Sequence, residues 1–213
     1  MNLLVRYYDT GFDTADPHPH PLPEKGEGVV PLAPFGERGG GEGQRANLPK
    51  MPNTHAPETP ATKMLHQHNV AFTDHLYDYE DHGGTKISSR ELGVDEYAVV
   101  KTLMMEDDSA KPLIVLMHGT HKVSTKELAR AIGVKRIEPC KPEFAQKHSG
   151  YMVGGTSPFG TKKSMRVYME KTILELPRVY INGGRRGYLV GIAPQEVVRI
   201  LQPTLVQVGQ PQT

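Results

Sequence analysis

The chain is short of the groups from which most enzymes assemble a reaction centre of their own. Cys140 is the single cysteine among 213 residues, so no disulfide can close within the chain, which suits a reducing compartment. No apolar run nears the roughly 20 residues that cross a bilayer. The opening MNLLVRYYDTGFD carries neither the cationic segment nor the long apolar stretch of a secretion signal. The expectation is a soluble, cytoplasmic protein. A strong charge imbalance is missing too, with 25 Lys/Arg against 24 Asp/Glu, so any contact with nucleic acid has to be local rather than spread over the surface.

Familiar catalytic patterns are equally scarce. There is no G-x-S-x-G elbow, no HExxH pair and no Walker spacing in the glycine-rich stretch GGTSPFGTKKS. His118 and His121 in HGTH lie three apart without the further ligands a metal site needs, and no metal or cofactor is expected. Cys140 follows Pro139 with no evident base beside it, and a catalytic thiol needs a histidine or a cationic setting.

What is present divides the chain in two. Residues 1–50 hold 8 of the 22 glycines and 7 of the 18 prolines, with 5 Lys/Arg against 7 Asp/Glu. The stretch DPHPHPLPEKGEGVVPLAPFGERGGGEGQ has no apolar periodicity with which to offset the entropy of ordering. It also resembles repetitive bacterial intergenic DNA read through in frame. Residues 1–56 are therefore expected to be a disordered extension, with Met51 as the native start. A folded domain is expected over 57–208 and a flexible tail over 209–213.

Within that domain the apolar pattern alternates between helix and strand. Thr59 and Pro60 open a helix, with Ala61, Met64, Leu65 and His68 on one face. KISSRELG reads as a helix stopped by Gly93, and STKELARAIG as one with a Ser124–Glu127 capping box and a stop at Gly133. YAVVKTLMME and PLIVLMH read as buried strands joined by DDSAK, and MRVYM, RVYIN, GYLVGI and TLVQV as later strands. KPEFAQKHSG and PQEVVRIL supply two more helices. This order predicts a mixed α/β fold, a curved barrel-like β-sheet flanked by helices.

The remaining candidates for chemistry are backbone and cations. Lys101 stands inside an apolar strand, where a cation has to reach a pocket or snorkel to the surface. The loop GGTSPFG, the pair Lys162 and Lys163, and NGGRRG at 182–187 complete the set. Glycine turns can bring bare N–H groups close to an anion, although TSP also reads as a local turn and NGGRRG as a hairpin.

Taken together, TPATKML, VVKTLMM, SGYMVGGTSPFG and YINGGRRG resemble the YbaK/EbsC family of aminoacyl-tRNA deacylases, over about residues 57–208. The resemblance implies a mixed α/β domain related to the editing domain of bacterial prolyl-tRNA synthetases. It implies removal of cysteine wrongly attached to proline tRNA, with cysteine tRNA as a further substrate. Lys101 and Thr102 match the family's Lys-Thr pair at the terminal adenosine and its ester, and Tyr77 a tyrosine near the pocket. Gly154, Gly155 and Ser157 fall in the loop that frames the substrate carbonyl. Asn182 to Gly187 match a second loop, where many members read SGGKRG, with Asn182, Gly183, Gly184 and Arg185 as the expected substrate contacts. Here Asn182 replaces the serine, and Leu189 stands where those members carry aspartate.

The mechanism implied needs no protein nucleophile. The cysteine's own thiol attacks its ester carbonyl and expels the tRNA hydroxyl. Intramolecular attack gains from orientation, with effective molarities that reach ~10⁵ M, although a four-membered ring captures less. Backbone N–H groups at Gly154 and Gly155 are the expected oxyanion donors, at about 3 kcal/mol each. The implied partner is aminoacyl-tRNA through its acceptor end, with prolyl-tRNA synthetase as a second. Two other readings stay open: a deacylase for another small amino acid using an oriented water, and a module that binds tRNA or a synthetase without turnover.

Overall fold

A computed structural model of the chain describes residues 56–212. The expected extension, all but its last residue, and the expected start at Met51 lie outside the described residues. Helix α1, Pro60–Gln67, begins at a reciprocal cap: the Thr62 N–H donates to Thr59 Oγ1 (3.1 Å) and the Thr59 N–H to Thr62 Oγ1 (2.9 Å). These two bonds satisfy donors that a helix start leaves orphaned. Strand β1, Thr73–Leu76, leads to helix α2, Gly84–Leu92, which Gly93 ends in the left-handed region (φ 63°). A 3-10 turn at Glu96–Ala98 runs into strand β2, Val99–Asp107, followed by β3, Pro112–His118, and the short β4, His121–Val123. Then come helix α3, Thr125–Ile132; strand β5, Ile137–Pro139; helix α4, Pro142–Ser149; and strand β6, Arg166–Glu170. After a second 3-10 turn, strands β7, Val179–Arg185, and β8, Tyr188–Ile192, form a hairpin. Helix α5, Pro194–Leu201, and strands β9, Thr204–Val206, and β10, Gly209–Pro211, close the order.

Eight strands build one mixed sheet in the order β1-β8-β7-β2-β3-β6-β9, with β5 attached to the far end of β2. The expected curved, barrel-like sheet is thus a mixed sheet whose path does not close on itself. Two hairpin-like blocks meet at a narrow seam, where β7 and β2 run parallel and share only the pairs Val99↔Tyr180 and Val100↔Ile181. β3 is buried on both faces because successive side chains of a strand point to opposite sides. Ile114 and Leu116 join a core with Leu65, Phe159, Met169 and Ile181 on one face, while Leu113, Val115 and Met117 join Leu128 and Ile137 on the other. Among the described residues no helix is long and apolar enough to cross a membrane.

Three local expectations change. The Ser124–Glu127 box is only half formed: Ser124 Oγ accepts the Glu127 N–H (3.3 Å), but the Glu127 carboxylate is held by Arg130 at 2.8 Å, and the Ser124 N–H donates to the Val208 carbonyl. His68 is exposed at the end of α1, and Thr62 is buried alongside Ala61 and Leu65 instead. The tail expected from residue 209 onward carries β10, which pairs antiparallel with β4 from Gly209↔Val123 to Pro211↔His121.

Candidate functional site

The sheet has a break in its hydrogen-bond ladder, and a cavity of about 500 Å³ opens over it. On the edge of β2 away from β3, Val99 and Val100 pair with β7, and Met105–Asp107 pair with β5. The Met104 carbonyl accepts the Cys140 N–H at 3.0 Å on that same edge. Backbone groups alternate sides along a strand, so the N–H and C=O of Thr102 also face this edge. No strand pairs with them there. Thr102 lines the cavity, and its Oγ1 is buried with no hydrogen-bond partner among the described residues. Unpaired buried polar groups are costly, and a ligand with its own donors and acceptors would satisfy them.

Lys101 lines the cavity next to Thr102, but its ammonium is not idle. Nζ donates to the Gly119 carbonyl (3.0 Å), in the turn after β3, and to the His121 carbonyl at the start of β4. An ammonium has three donors, so one N–H remains for a ligand. Burial lowers the Lys101 pKa, and Lys122 adds to the fall against the opposing pull of Glu96.

The glycine-rich loop divides into two parts with different jobs. Its second half is structural. Ser157 and Phe159 are fully buried, Ser157 Oγ accepts the Phe159 N–H (3.3 Å), and Tyr151 Oη donates to the Phe159 carbonyl (2.7 Å). Ser157, expected beside the substrate, is therefore a core turn residue. Its first half reaches the cavity through Val153, Gly154 and Thr156. Gly154 has φ +86°, and a Cβ there would lie 2.7 Å from Tyr79 Oη. Its N–H has no partner among the described residues. Gly155 differs from expectation, since its N–H already donates to the Met152 carbonyl (2.9 Å) and its Cα packs on the backbone of Arg185 and Arg186.

The β7–β8 hairpin forms the opposite wall. Asn182 lines the cavity, donates from Nδ2 to the Gly154 carbonyl (3.2 Å), and accepts the Gly184 N–H at Oδ1 (2.7 Å). Gly183 and Gly184 stand behind it: a Cβ on Gly183 would meet the Tyr188 ring at 2.4 Å, and Gly184 (φ +94°) lies against Tyr151. Arg185, expected in the site, is not among the cavity residues, and Arg186 takes the place instead. Arg186 lies in the hairpin turn, just past a register shift between Asn182 and Arg185. Arg186 Nε donates to the Val153 carbonyl (2.8 Å), and its guanidinium lies 5.0 Å from the Tyr79 ring centroid. Loop and hairpin are thereby tied together. Leu189 completes this wall with an apolar contact.

Tyr77 lines the cavity as expected, and burial raises its phenol pKa. The pair Lys162 and Lys163 lies outside the cavity, exposed, with Lys163 Nζ 3.5 Å from His148 Nε2. His118 is a core residue. Nδ1 faces the Tyr97 carbonyl (2.7 Å) and Nε2 the Thr172 hydroxyl (2.8 Å), so neither nitrogen is free for a metal. Sequence reasoning missed Tyr79 and the presence of Cys140 in the wall, and it singled out Arg185 rather than Arg186 within NGGRRG. Burial and the nearby Glu106 carboxylate push the Cys140 thiol up to about 11, which keeps it protonated and unreactive at neutral pH.

Comparison with known proteins fits this architecture. The family described as "Aminoacyl-tRNA editing domain" matches residues 85–200. A protein of Enterococcus faecalis, "Putative Cys-tRNA(Pro)/Cys-tRNA(Cys) deacylase EbsC", is 26% identical over 144 residues, covering 67% of this chain and 88% of that protein. A proline–tRNA ligase of Levilactobacillus brevis is 27% identical over 90 residues, 42% of this chain but only 16% of the ligase. Among solved structures, one described as "a putative trans-editing enzyme for prolyl tRNA synthetase" superposes with a TM-score of 0.64 at 17% identity. It covers 73% of this chain and 99% of that chain, which establishes a shared fold.

Proposed function

Since the chain belongs to the aminoacyl-tRNA editing domain family, we propose that it is a trans-acting deacylase that frees proline tRNA from wrongly attached cysteine. The observation that carries the reading is the cavity over the broken β2 ladder. It is lined by Lys101, by Thr102 on the unpaired stretch of the β2 edge, and by Gly154. These are donors and acceptors for an ester, with no protein nucleophile among them.

The substrate's sulfur is the nucleophile in this reading. Its thiol attacks the ester carbonyl carbon, a C–S bond forms, and the ester C–O bond to the terminal ribose breaks. The thiol proton passes to the departing ribose oxygen, and water then opens the four-membered thiolactone to free cysteine. The main-chain donors at Gly154 and Thr102 stabilise the oxyanion, where one well-placed donor is worth about 3 kcal/mol. The remaining N–H of Lys101 holds the ribose or terminal phosphate edge. Orientation supplies the rest. Cysteine tRNA is a further substrate of the same site, and prolyl-tRNA synthetase a partner that would deliver the proline tRNA.

The test is a deacylation assay with cysteinyl-, seryl- and alanyl-esters of proline tRNA. Cysteinyl-tRNA is expected to be cleaved at least tenfold faster than the nearly isosteric seryl-tRNA, about 1.4 kcal/mol in barrier. Equal rates would remove the thiol mechanism and leave hydrolysis by an oriented water. Absence of cleavage on all three would reduce the chain to a binding module.

A further inference from the structure

One of the two carbonyls that hold Lys101 is held in turn by the far end of the chain. The Lys101 ammonium donates to Gly119, in the turn after β3, and to His121, the first residue of β4. β4 has only three residues and no partner in the main sheet. It pairs with β10, by Gly209↔Val123, Gln210↔Lys122 and Pro211↔His121. Gln212 extends the match: its N–H donates to the Thr120 carbonyl (2.9 Å), and its Nε2 to the same His121 carbonyl that receives Lys101 (3.3 Å). β10 is fixed at its start by one buried carboxylate. Glu170, at the end of β6 and 3% exposed, accepts the Val208 N–H (2.7 Å) and the Gly209 N–H (2.8 Å) on the same oxygen.

We infer that Glu170 and the strand β10 act as a positioning clamp for Lys101. A two-stranded ribbon of three residues per strand is not stable alone, so without the Glu170 contact the His121 end of the turn loses its support, while Gly119 stays tied to the Val99 carbonyl and to Thr85. The His121 carbonyl then no longer defines where the Lys101 ammonium sits. Glu170 is a positioning residue, acting on the cavity through β10, β4 and the His121 carbonyl without touching a substrate. The clamp itself is independent of the reaction, and only its effect on rate rests on the deacylase reading.

Two readouts separate those claims. The first is lysine acetylation with limiting acetic anhydride, read by mass spectrometry, with the exposed Lys86 as internal reference. Ending the chain at Val208 is expected to speed Lys101 labelling at least about fivefold over Lys86, since local opening controls access to the group. Glu170→Leu and Gln212→Ala, each removing one component, are expected to give smaller increases in the same direction. They decide the matter should the shortened chain fail to fold. Unchanged Lys101 labelling in both point variants would overturn the clamp.

The second readout is cysteinyl-tRNA cleavage. Ending the chain at Val208 and Lys101→Ala are each expected to slow it, and the two together to slow it no more than Lys101→Ala alone, because residues acting through one group are not additive. Full additivity would overturn the positioning role and leave β10 as a stability element. If the unaltered protein cleaves no aminoacyl-tRNA, the deacylase reading fails, while the labelling result still decides the clamp.

Discussion

Lys101 and Cys140 line one cavity and are tuned by the same force, burial, to opposite effect on their usefulness. For Lys101 the loss of solvation is offset by two carbonyl acceptors, and one N–H is left over. Replacing it by alanine is expected to lower kcat/KM for cysteinyl-tRNA at least tenfold, about 1.4 kcal/mol, with an unchanged circular dichroism spectrum. Full activity in a folded Lys101→Ala protein would return the lysine to a purely structural strand position. For Cys140 the same burial, aided by Glu106, favours the neutral thiol, with a pKa near 11. Only the thiolate reacts with iodoacetamide. Its alkylation is therefore expected to climb about tenfold per pH unit above neutrality and to level only near 11. A plateau near 8.5, the value of a free thiol, would contradict the burial seen here. Cys140→Ser should leave deacylation within about twofold, since a protonated thiol contributes no nucleophile.

At the scale of elements, the contact between the glycine loop and the β7–β8 hairpin shapes the cavity. Three successive carbonyls of the loop are taken: Met152 by the Gly155 N–H, Val153 by Arg186, and Gly154 by Asn182. A methyl group added at Gly155 would lie 2.9 Å from the Arg186 nitrogen, and backbone cannot step aside as a side chain does. Gly155→Ala is expected to cost about 1–3 kcal/mol in urea unfolding and to raise KM for aminoacyl-tRNA. Unchanged stability and KM would show that the loop slides freely over the hairpin. This loop also marks where sequence reading stopped. Helix ends were legible because Thr59, Gly93 and Gly133 act locally, through a side-chain cap or a positive φ. The buried strands were legible from their apolar runs. The loop's glycines and cations looked like a ligand cradle, whereas Gly155 and Ser157 serve packing, because close approach to a backbone and close approach to a ligand demand the same residue. Arg186 rather than Arg185 lines the cavity, from the turn that follows a bulge, and no periodicity announces either. β4 and β10 escaped notice because three residues with charged and proline side chains show no alternation.

Over the molecule as a whole, the sheet carries a core on each face, and only one of them closes on the loop that walls the cavity. Phe159 and Tyr151 of the loop belong to the core that includes Leu65 and Ile181. Leu128 of α3 belongs to the other, with Leu113 and Val115. Leu128→Ala, at a fully buried position, is expected to cost about 2–5 kcal/mol of stability while kcat/KM measured well below the melting temperature stays within about twofold. A large loss of activity in a fully folded Leu128→Ala protein would show that the two cores communicate.

The seam between β2 and β7 gives this arrangement a further property. The two pairs that join the blocks bring together residues far apart in sequence, so their closure is entropically expensive and they are the natural place for the sheet to part. The cavity is bounded by Lys101 and Thr102 from one block and by Asn182, Arg186 and Leu189 from the other. On the proposed reading, an acceptor end seated there would work as a rivet, and cohesion of the sheet would become a measure of occupancy. At a hundredfold excess over Kd such a ligand adds about 2.7 kcal/mol to the bound fold. Amide exchange at Val100 should accordingly slow when a non-cleavable aminoacyl-adenosine is added, ahead of amides in α3, which lies on the opposite core.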